Sequence, residues 1–218
     1  KVVTIGRTHQ GKPILAVKVT KNARNLPDGQ RPATAYIGAQ HAREWITVEM
    51  TRRLLHQVLN GYGADATITN AVDKTELWFV PVANPDGYDY TFTAGNRLWR
   101  KNLRDNDGDG KISGVDGVDL NRNFAYRWGY DNEGSSPDPS SDTYRGPAAN
   151  SEPETRALDR LFRRVGFEFF VNYHSAAELL LYGLGWQVST PTPDDQIYEA
   201  MAGDDTHPAV PGYDPDIS

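Results

Sequence analysis

The chain has 218 residues with a formal net charge of -6, and it contains no cysteine. Disulfides, thiolate metal sites and cysteine nucleophiles are therefore excluded, and the acidic balance argues against non-specific binding to nucleic acid. No apolar run reaches the ~18 residues that a membrane-spanning helix needs, so we expect neither a nucleic-acid nor a membrane partner. The length suits one domain, and we expect residues 1–218 to form it.

Short apolar segments alternate with amphipathic ones along the chain. Strands are predicted at Val2–Ile5, Ile14–Thr20, Ala33–Ile37, Leu77–Val82, Phe167–Tyr173 and Leu179–Tyr182. Helices are predicted at Glu44–Asn60, Asp65–Val72, Ser151–Val165 and Gln196–Ala202. This alternation predicts an α/β fold with helices on both faces of a central sheet.

Finer expectations concern the helices and the segments without regular structure. In the first helix, the buried stripe should consist of Ile46, Met50, Leu54 and Val58, which recur every four residues. The third helix should begin with Ser151 as N-cap and Glu154 in the capping-box position. The stretch from 88 to 150 should be mostly loop, and the tail from 204 to 218 is rich in Asp and Pro.

His41 and Glu44 form an H-x-x-E pair where a strand gives way to a helix. An imidazole and a carboxylate at such a corner can both turn toward one divalent ion such as zinc. His174 is the best candidate for a third ligand, since both histidines fall just past the C-terminal end of a strand, where open α/β sheets bind ligands. The alternative is a surface His beside an N-terminal Glu that favours the helix dipole.

Other charged residues fit around such a site. A buried Asp119 would accept the second N–H of a metal-bound His, although a turn Asp bonded to its own backbone is an equally good interpretation. Arg43, Arg97, Arg100 and Arg122 suit a carboxylate ligand or a developing oxyanion. The alternative is that these arginines lie on solvated faces in weak ion pairs.

Residues 105–116 match a twelve-residue calcium loop. The predicted Ca2+ ligands are Asp105, Asp107, Asp109, the backbone carbonyl of Lys111, and Asp116. Asp116 stands where Glu is usual, and its shorter side chain reaches less easily to bidentate contact. The loop lacks flanking helices, so we expect a structural calcium site, with a solvated acidic turn as the alternative.

Seven motifs in order resemble the zinc carboxypeptidases of the carboxypeptidase A/B and bacterial carboxypeptidase T type (the peptidase M14 family). The motifs are His41-Ala42-Arg43-Glu44, Asn84-Pro85-Asp86-Gly87-Tyr88, Arg97-Leu98-Trp99-Arg100-Lys101, Asp119-Leu120-Asn121-Arg122-Asn123, Tyr144-Arg145-Gly146, Ser151-Glu152-Pro153-Glu154-Thr155 and Tyr173-His174-Ser175. The resemblance implies a mixed central β-sheet and removal of C-terminal residues from peptides that have a free carboxylate.

The resemblance also implies a role for each matching position. His41, Glu44 and His174 would bind one catalytic Zn2+, and Asp119 would orient His41. Asn121 and Arg122 would clamp the substrate carboxylate, and Arg100 would polarise the scissile carbonyl. Arg43, Arg97 and Ser175 would line outer subsites. In this family a zinc-bound water attacks the carbonyl while a Glu acts as general base.

The sequence departs from the family pattern at its ends. The general-base Glu and a covering Tyr would lie beyond residue 218, so we expect a catalytic domain incomplete at both termini, with a second polypeptide fragment as a candidate partner that completes it. Secretion is expected from the family and from the calcium loop. The alternatives are an inactive relative that binds zinc and carboxylates, an amidohydrolase acting on cell-wall peptides, and a calcium-dependent structural module.

Overall fold

The computed structural model describes residues 1–186, 190–204 and 206–217. The chain divides into two compact units, Lys1–His174 and Ser175–Ser218. The strands of the first unit are β1 (Val2–Arg7), β2 (Pro13–Val19), β3 (Ala33–Ile37), β4 (Glu76–Val80) and β5 (Phe169–Asn172). Its helices are α1 (Trp45–Gly61), α2 (Ala66–Lys74), α3 (Pro85–Tyr90), a 3-10 turn (Leu120–Arg122) and α4 (Pro153–Val165). The second unit contains β6 (Leu179–Tyr182), α5 (Asp195–Ala202) and β7 (Asp214–Ile217), with β6 parallel to β7.

The first unit is built on a five-stranded mixed sheet with the order β1-β2-β4-β3-β5. Strands β1, β2 and β4 pair antiparallel, whereas β3 pairs parallel with both β4 and β5. The parallel pairs arise because helical segments return the chain to the same end of the sheet. As a result, the carboxyl ends of β3 and β5 lie side by side at one edge.

Strand β4 separates the two halves of the hydrophobic core. Every residue of β4 is buried, as expected for a central strand covered on both faces. Trp78 and Val80 pack with α4 on one face, and Leu77 and Phe79 pack with α1 and α2 on the other. The mixed α/β architecture with helices on both faces is therefore confirmed.

The buried stripe of α1 differs from the prediction. Ile46 and Met50 are exposed, and the first turns of the helix bury Thr47 and Thr51 instead. Gly38 explains this choice, because an added Cβ there would lie only 2.8 Å from the Thr47 carbonyl and from the Thr51 hydroxyl. Small side chains let the helix approach the strand end so closely. Of the predicted stripe, Val58 is buried and Leu54 is partly buried.

The start of α4 also differs from the prediction. The N-cap is Glu152, which makes no side-chain capping bond, and Pro153 occupies the first turn. Ser151 donates its hydroxyl to the Glu152 carboxylate at 2.6 Å. The expected capping box is absent because the carboxylates of Glu152 and Glu154 both accept from the buried Asn102 amide.

Two parts of the chain contain more regular structure than predicted. The Asn-Pro-Asp-Gly turn continues as α3, because Asn84 caps the helix by accepting from the Gly87 amide at 3.0 Å. Strand β7 lies in the tail, of which Asp205 and Ser218 are outside the described residues. None of the helices in the described part of the chain combines the length and the apolar character that a membrane crossing needs.

Candidate metal centre

Three side chains converge at the carboxyl edge of β3 and β5. His41 lies four residues after the end of β3, and His174 lies two residues after the end of β5. Glu44 is the N-cap residue of α1, and its side chain makes no capping bond to that helix. Neighbouring parallel strands thus bring together residues that are 133 positions apart in sequence.

The potential ligand atoms of these three residues lie about as close as direct contact allows. His41 Nδ1 is 2.9 Å from Glu44 Oε1, and His174 Nδ1 is 3.0 Å from Glu44 Oε2. The two Nδ1 atoms are 3.0 Å apart. His41 and Glu44 are buried, whereas the side chain of His174 is 31% exposed, so the group is open on one side.

The loop that carries His41 is fixed by hydrogen bonds from three directions. The Thr47 hydroxyl accepts from the Ala39 amide at 2.9 Å. Asn84 donates its side-chain amide to the Gln40 carbonyl at 3.2 Å, and Asn172 at the end of β5 donates to Gln40 Oε1 at 2.6 Å. The loop backbone is therefore held before any ligand binds. Asn84 was predicted only as a turn residue, because its contact 44 positions away is not visible in the sequence.

Asp119 is a fully buried hub behind His41. Its Oδ1 accepts from His41 Nε2 at 3.1 Å and from the Asn121 amide at 2.9 Å. Its Oδ2 accepts from Arg100 Nε at 3.0 Å and from Nη2 at 2.8 Å. Burial alone would raise the pKa of Asp119, but the His41 hydrogen bond and the nearby guanidinium groups hold it well below its usual range. An ionised Asp119 only accepts, so it places a proton on Nε2 and leaves the Nδ1 lone pair of His41 free for a metal.

Protonation of the ligands follows the same contacts. Burial opposes ionisation of Glu44, but hydrogen bonds from His174 and His41 lower its pKa to about 2. Burial would lower the pKa of His41, yet its hydrogen bonds to Asp119 and Glu44 raise the pKa above the usual value. Glu44 is therefore a carboxylate at neutral pH, and a proton competes with a metal ion for the histidine nitrogens.

The donor set fits zinc. Two imidazole nitrogens whose lone pairs meet at 3.0 Å repel each other unless a proton or a cation lies between them. Ligand nitrogens around tetrahedral zinc lie about 3.3 Å apart, given a Zn–N bond of about 2.05 Å, so only a slight expansion is needed. His41, Glu44 and His174 form one of three metal-compatible groups of side chains among the described residues.

Arg100 and Arg122 lie close to this centre. Arg100 uses Nε and Nη2 on Asp119, and its Nη1 lies 4.0 Å from Glu44 Oε1. Arg122 donates Nε to the Gly134 carbonyl at 2.6 Å and Nη1 to the Asn121 carbonyl at 3.2 Å. The Asn121 side-chain amide lies 3.5 Å from His174 Nε2. The structure thus places Asn121 beside the ligand group, with the Arg122 guanidinium fixed by backbone carbonyls.

The predicted outer residues are placed differently. Arg43 donates to Asp142 at 3.0 Å and to the Leu98 carbonyl at 3.2 Å. Arg97 lies over the Trp45 ring at 3.5 Å. Both guanidinium groups are therefore engaged with the protein itself. Ser175 belongs to the second compact unit, and its role stays a prediction.

The predicted calcium loop brings together only part of its ligand set. Carboxylate oxygens of Asp105, Asp107 and Asp109 lie within 4.8 Å of one another. Asp116 is buried outside that group and accepts from the Asn106 amide at 2.7 Å and from the Ser113 amide at 2.8 Å. The loop conformation is thus held by its own backbone amides.

A further cluster, of the exposed His9 with the buried Glu152 and Glu154, was not predicted from the sequence. His9 Nε2 lies 2.7 Å from Glu152 Oε2, and Asn102 donates to both Glu152 and Glu154. Glu154 Oε1 has no hydrogen-bond partner. Burial raises the pKa of Glu154 above its ordinary value. The only sequence signal was the Ser-Glu-Pro-Glu motif, which is also a good helix start.

Comparison with known proteins agrees with this geometry. The profile of the family described as Peptidase_M14, zinc carboxypeptidase, matches residues 1–209. The metallocarboxypeptidase A-like protein of Trichophyton verrucosum (strain HKI 0517) is 36% identical over 206 residues, which cover 93% of this chain and 46% of that protein. The inactive metallocarboxypeptidase ECM14 of Arthroderma otae (strain ATCC MYA-4605 / CBS 113480) is 32% identical over 194 residues, which cover 84% of this chain and 31% of that protein.

The crystal structure of the carboxypeptidase A from Helicoverpa armigera superposes with a TM-score of 0.76 at 30% identity, over 92% of this chain and 46% of that one. The chain thus spans about half the length of the curated relatives that it matches. These matches confirm the resemblance that the motifs indicated. Both curated relatives named here are fungal, so they lend no support to the expected bacterial type.

Proposed function

Because this chain belongs to the zinc carboxypeptidase family, we propose that it carries the metal site and the substrate-carboxylate clamp of an exopeptidase that hydrolyses the C-terminal peptide bond of peptides. One observation carries the proposal. The ligand atoms of His41, Glu44 and His174 lie 2.9–3.0 Å apart at an open edge of the sheet, with the ionised Asp119 behind them.

In this proposal His41, Glu44 and His174 hold one zinc ion. When bound, such an ion acts as a Lewis acid toward the scissile carbonyl and lowers the pKa of water to about 7. The chain supplies the conditions for this. Asp119 fixes the tautomer of His41, and Glu44 is already a carboxylate at neutral pH, because its contacts with the two histidines lower its pKa to about 2 in the metal-free chain. The partial exposure of His174 leaves one side open for substrate.

Arg100 is suited to hold the carbonyl oxygen as it gains negative charge. Asp119 engages Nε and Nη2 of Arg100, which fixes the plane of the guanidinium. The remaining Nη1 of Arg100 lies 4.0 Å from Glu44 Oε1, and the Arg100 side chain is only 14% exposed. A pre-oriented donor in a partly buried site stabilises a developing oxyanion without reorganisation.

Asn121 and Arg122 would recognise the free carboxylate of the substrate. Arg122 has one terminal nitrogen left after its contacts with the Gly134 and Asn121 carbonyls. A guanidinium held by backbone carbonyls is pre-organised for a carboxylate. Arg43, Arg97 and Ser175 were expected in outer subsites, and for the two arginines their existing contacts argue for a supporting role instead.

The general base and the covering Tyr are proposed to come from polypeptide beyond residue 218. Ligand binding and turnover are then separate properties. The 218-residue chain should bind zinc and small N-acyl amino acids, whereas hydrolysis requires the full-length protein or a second fragment that completes the domain.

The first experiment measures zinc stoichiometry. The chain should bind one zinc ion, and His41→Ala and His174→Ala should each remove it, because two remaining ligands hold zinc weakly. His56→Ala is the matched control, since His56 is an exposed residue of α1. Stoichiometric zinc in either ligand variant would contradict the assignment.

The second experiment compares peptides with a free C-terminal carboxylate and their C-terminal amides, using the full-length protein. The exopeptidase proposal expects cleavage of the free acid and a raised KM in Arg122→Gln. Equal cleavage of the amide would exclude the carboxylate clamp. The intact mass of every polypeptide in the sample should be measured under denaturing conditions, to show whether a completing fragment is present.

An inactive zinc- and carboxylate-binding protein is the second candidate, favoured by the similarity to a relative that is itself named inactive. It predicts zinc and N-acyl amino acid binding in the full-length protein without hydrolysis of any peptide. Turnover that depends on His41 would exclude it.

A structural calcium ion in residues 105–116 and secretion also belong to this proposal. The support is the grouping of Asp105, Asp107 and Asp109. The inward-facing Asp116 argues for a weak site, because the usual bidentate ligand is engaged with backbone amides. A weak site would suit an environment rich in calcium, such as the extracellular space.

A further inference from the structure

We propose that Arg97 positions the metal ligand Glu44 by holding the two residues on either side of it, and so raises the affinity of the site for zinc. This inference rests on the metal site proposed above. It assigns Arg97 a role different from the outer substrate subsite that the sequence suggested.

The contacts of Arg97 bracket Glu44. Its Nη1 donates to the carbonyl of Arg43 at 3.0 Å. Its guanidinium carbon lies 3.5 Å from the centroid of the Trp45 ring, a close cation–π contact. Arg43 and Trp45 are the residues immediately before and after Glu44. One side chain therefore restrains the backbone on one side of the ligand and the indole on the other.

Further hydrogen bonds join the segment of Arg97 to the segment of Glu44. Residues 97–100 run beside residues 42–45 and are joined to them by two further hydrogen bonds. The Ala42 amide donates to the Arg100 carbonyl at 2.9 Å, and Arg43 Nη1 donates to the Leu98 carbonyl at 3.2 Å. With the bond from Arg97 to Arg43, the two segments are tied in both directions. Residues 42–45, which include Glu44, are thus hydrogen-bonded to a second loop that lies more than 50 positions away in the sequence.

The other hydrogen bonds of the Glu44 backbone are local. Its amide donates to the His41 carbonyl at 3.2 Å, and its carbonyl accepts from the Thr47 amide at 3.1 Å and from the Thr47 hydroxyl at 2.7 Å. Glu44 itself precedes α1, has non-helical dihedral angles (φ -89°, ψ 60°), and makes no side-chain capping bond, so the contacts of Arg97 add a restraint from a separate segment of the chain. Trp45 is a firm anchor for the next position. Its Nε1 donates to the Thr91 hydroxyl at 2.8 Å, and its ring stacks with Phe92 at 4.4 Å. Arg97 links the Trp45 ring to the Arg43 carbonyl, and so connects the two residues that flank Glu44.

The chemistry of the side chain matters here. A planar guanidinium can stack on an indole and donate in its own plane at the same time, whereas an ammonium group cannot do both with a fixed geometry. Arg97 contacts none of the three metal ligands, so it is a positioning residue. Groups that orient metal ligands from outside typically contribute 10–100-fold to affinity, and an exposed group acting through two neighbours should contribute less.

The test measures zinc affinity in the 218-residue chain by competition with a chromophoric chelator. Arg97→Met should weaken zinc binding about three- to tenfold, and Trp45→Phe should weaken it by a similar factor. The double variant should lose less than the product of the two factors, because both changes remove the same contact. Arg163→Met is the matched control, since Arg163 is an exposed arginine of α4 paired with Asp159.

A second measurement separates positioning from general loss of structure. The visible absorption of Co2+ bound in place of zinc reports ligand geometry, and it should change in Arg97→Met while the melting temperature of the metal-free protein matches that of Arg163→Met. If Arg97→Met does not fold, Arg97→Lys replaces it, with an expected loss of at least about twofold. Unchanged zinc affinity, or losses that multiply fully in the double variant, would overturn the inference. Failure of the unaltered chain to bind zinc would instead refute the proposed metal site.

Discussion

Replacing Asp119 by Asn tests the network behind the metal centre most directly. The substitution keeps the shape of the side chain but exchanges one acceptor oxygen for a donor NH2 group. Both oxygens of Asp119 accept from donors, with His41 and Asn121 on one side and Arg100 on the other. In either orientation the new NH2 group therefore faces an N–H.

The consequence for His41 depends on that orientation. If the NH2 group faces His41, the ring must accept at Nε2 and carry its proton on Nδ1, the atom that should bind the metal. If it faces Arg100, the guanidinium loses its hydrogen-bond acceptor as well. In either orientation the mostly buried Arg100 loses its negatively charged partner. Loss of one partner of a fully buried ion pair costs about 3–5 kcal/mol. Because the Arg100 side chain is 14% exposed, water compensates part of this loss, and we expect the free energy of unfolding to fall by about 2–3 kcal/mol.

The expected fall in zinc affinity is about 10–100-fold, which corresponds to about 1.4–2.8 kcal/mol. Competition with a chromophoric chelator measures this affinity, and urea denaturation of the metal-free chain measures stability. Asp86→Asn is the matched control, because Asp86 is also fully buried and accepts from the Gln10 amide. Zinc affinity within twofold of the unaltered chain in Asp119→Asn would refute the assigned tautomer.

Three further predictions test other parts of the structure. Gly38→Ala should lower stability by about 1–3 kcal/mol in urea denaturation, because the new Cβ would lie 2.8 Å from the Pro81 carbonyl, whereas Gly114→Ala, with open space around it, should not. Glu154→Gln should stabilise the protein at neutral pH. The pKa of Glu154 is raised above its ordinary value of 4.5, so the folded state retains a proton that the unfolded chain releases above that pH. The benefit is therefore absent below pH 4.5 and grows as the pH rises toward the folded-state pKa. Parallel stability–pH curves for the two proteins would contradict this prediction. Calcium should raise the melting temperature of the chain but not of Asp105→Asn, and equal shifts would remove the proposed calcium site.

The positions of the candidate ligands were predictable because they depend on one simple feature of sheets. A residue just past the end of a parallel strand lies at the carboxyl edge, so the strand predictions alone bring His41 and His174 together. The sequence left Asp119 open between a partner for a metal-bound His and a turn residue, and the resemblance to the family specified His41 as the partner. In the structure Asp119 contacts both His41 and the Asn121 backbone amide.

Close packing and long-range contacts were not predictable in the same way. The stripe of α1 was assigned by hydrophobicity, but the helix start is packed against Gly38, where Thr47 and Thr51 fit and larger residues do not. The contacts of Arg97 with Arg43 and Trp45 join segments that are more than 50 positions apart. The sequence motif that contains Arg97 does not reveal which way its side chain points. Hydrogen bonds of this kind depend on the finished fold.

The arrangement of the site has a consequence for how its function should be studied. The proposed metal ligands, the arginine proposed to hold the oxyanion and the proposed carboxylate clamp all lie within Lys1–His174, a unit with its own sheet and its own core on both faces. The loop that carries His41 is held by Thr47, Asn84 and Asn172 through contacts inside that unit. Zinc binding should therefore depend on this unit, whereas the general base for turnover is proposed to belong to a different segment. Zinc affinity and peptide hydrolysis then report on different parts of the polypeptide. A variant that changes zinc affinity alone acts on the metal site, and a variant that changes hydrolysis alone acts on a later step.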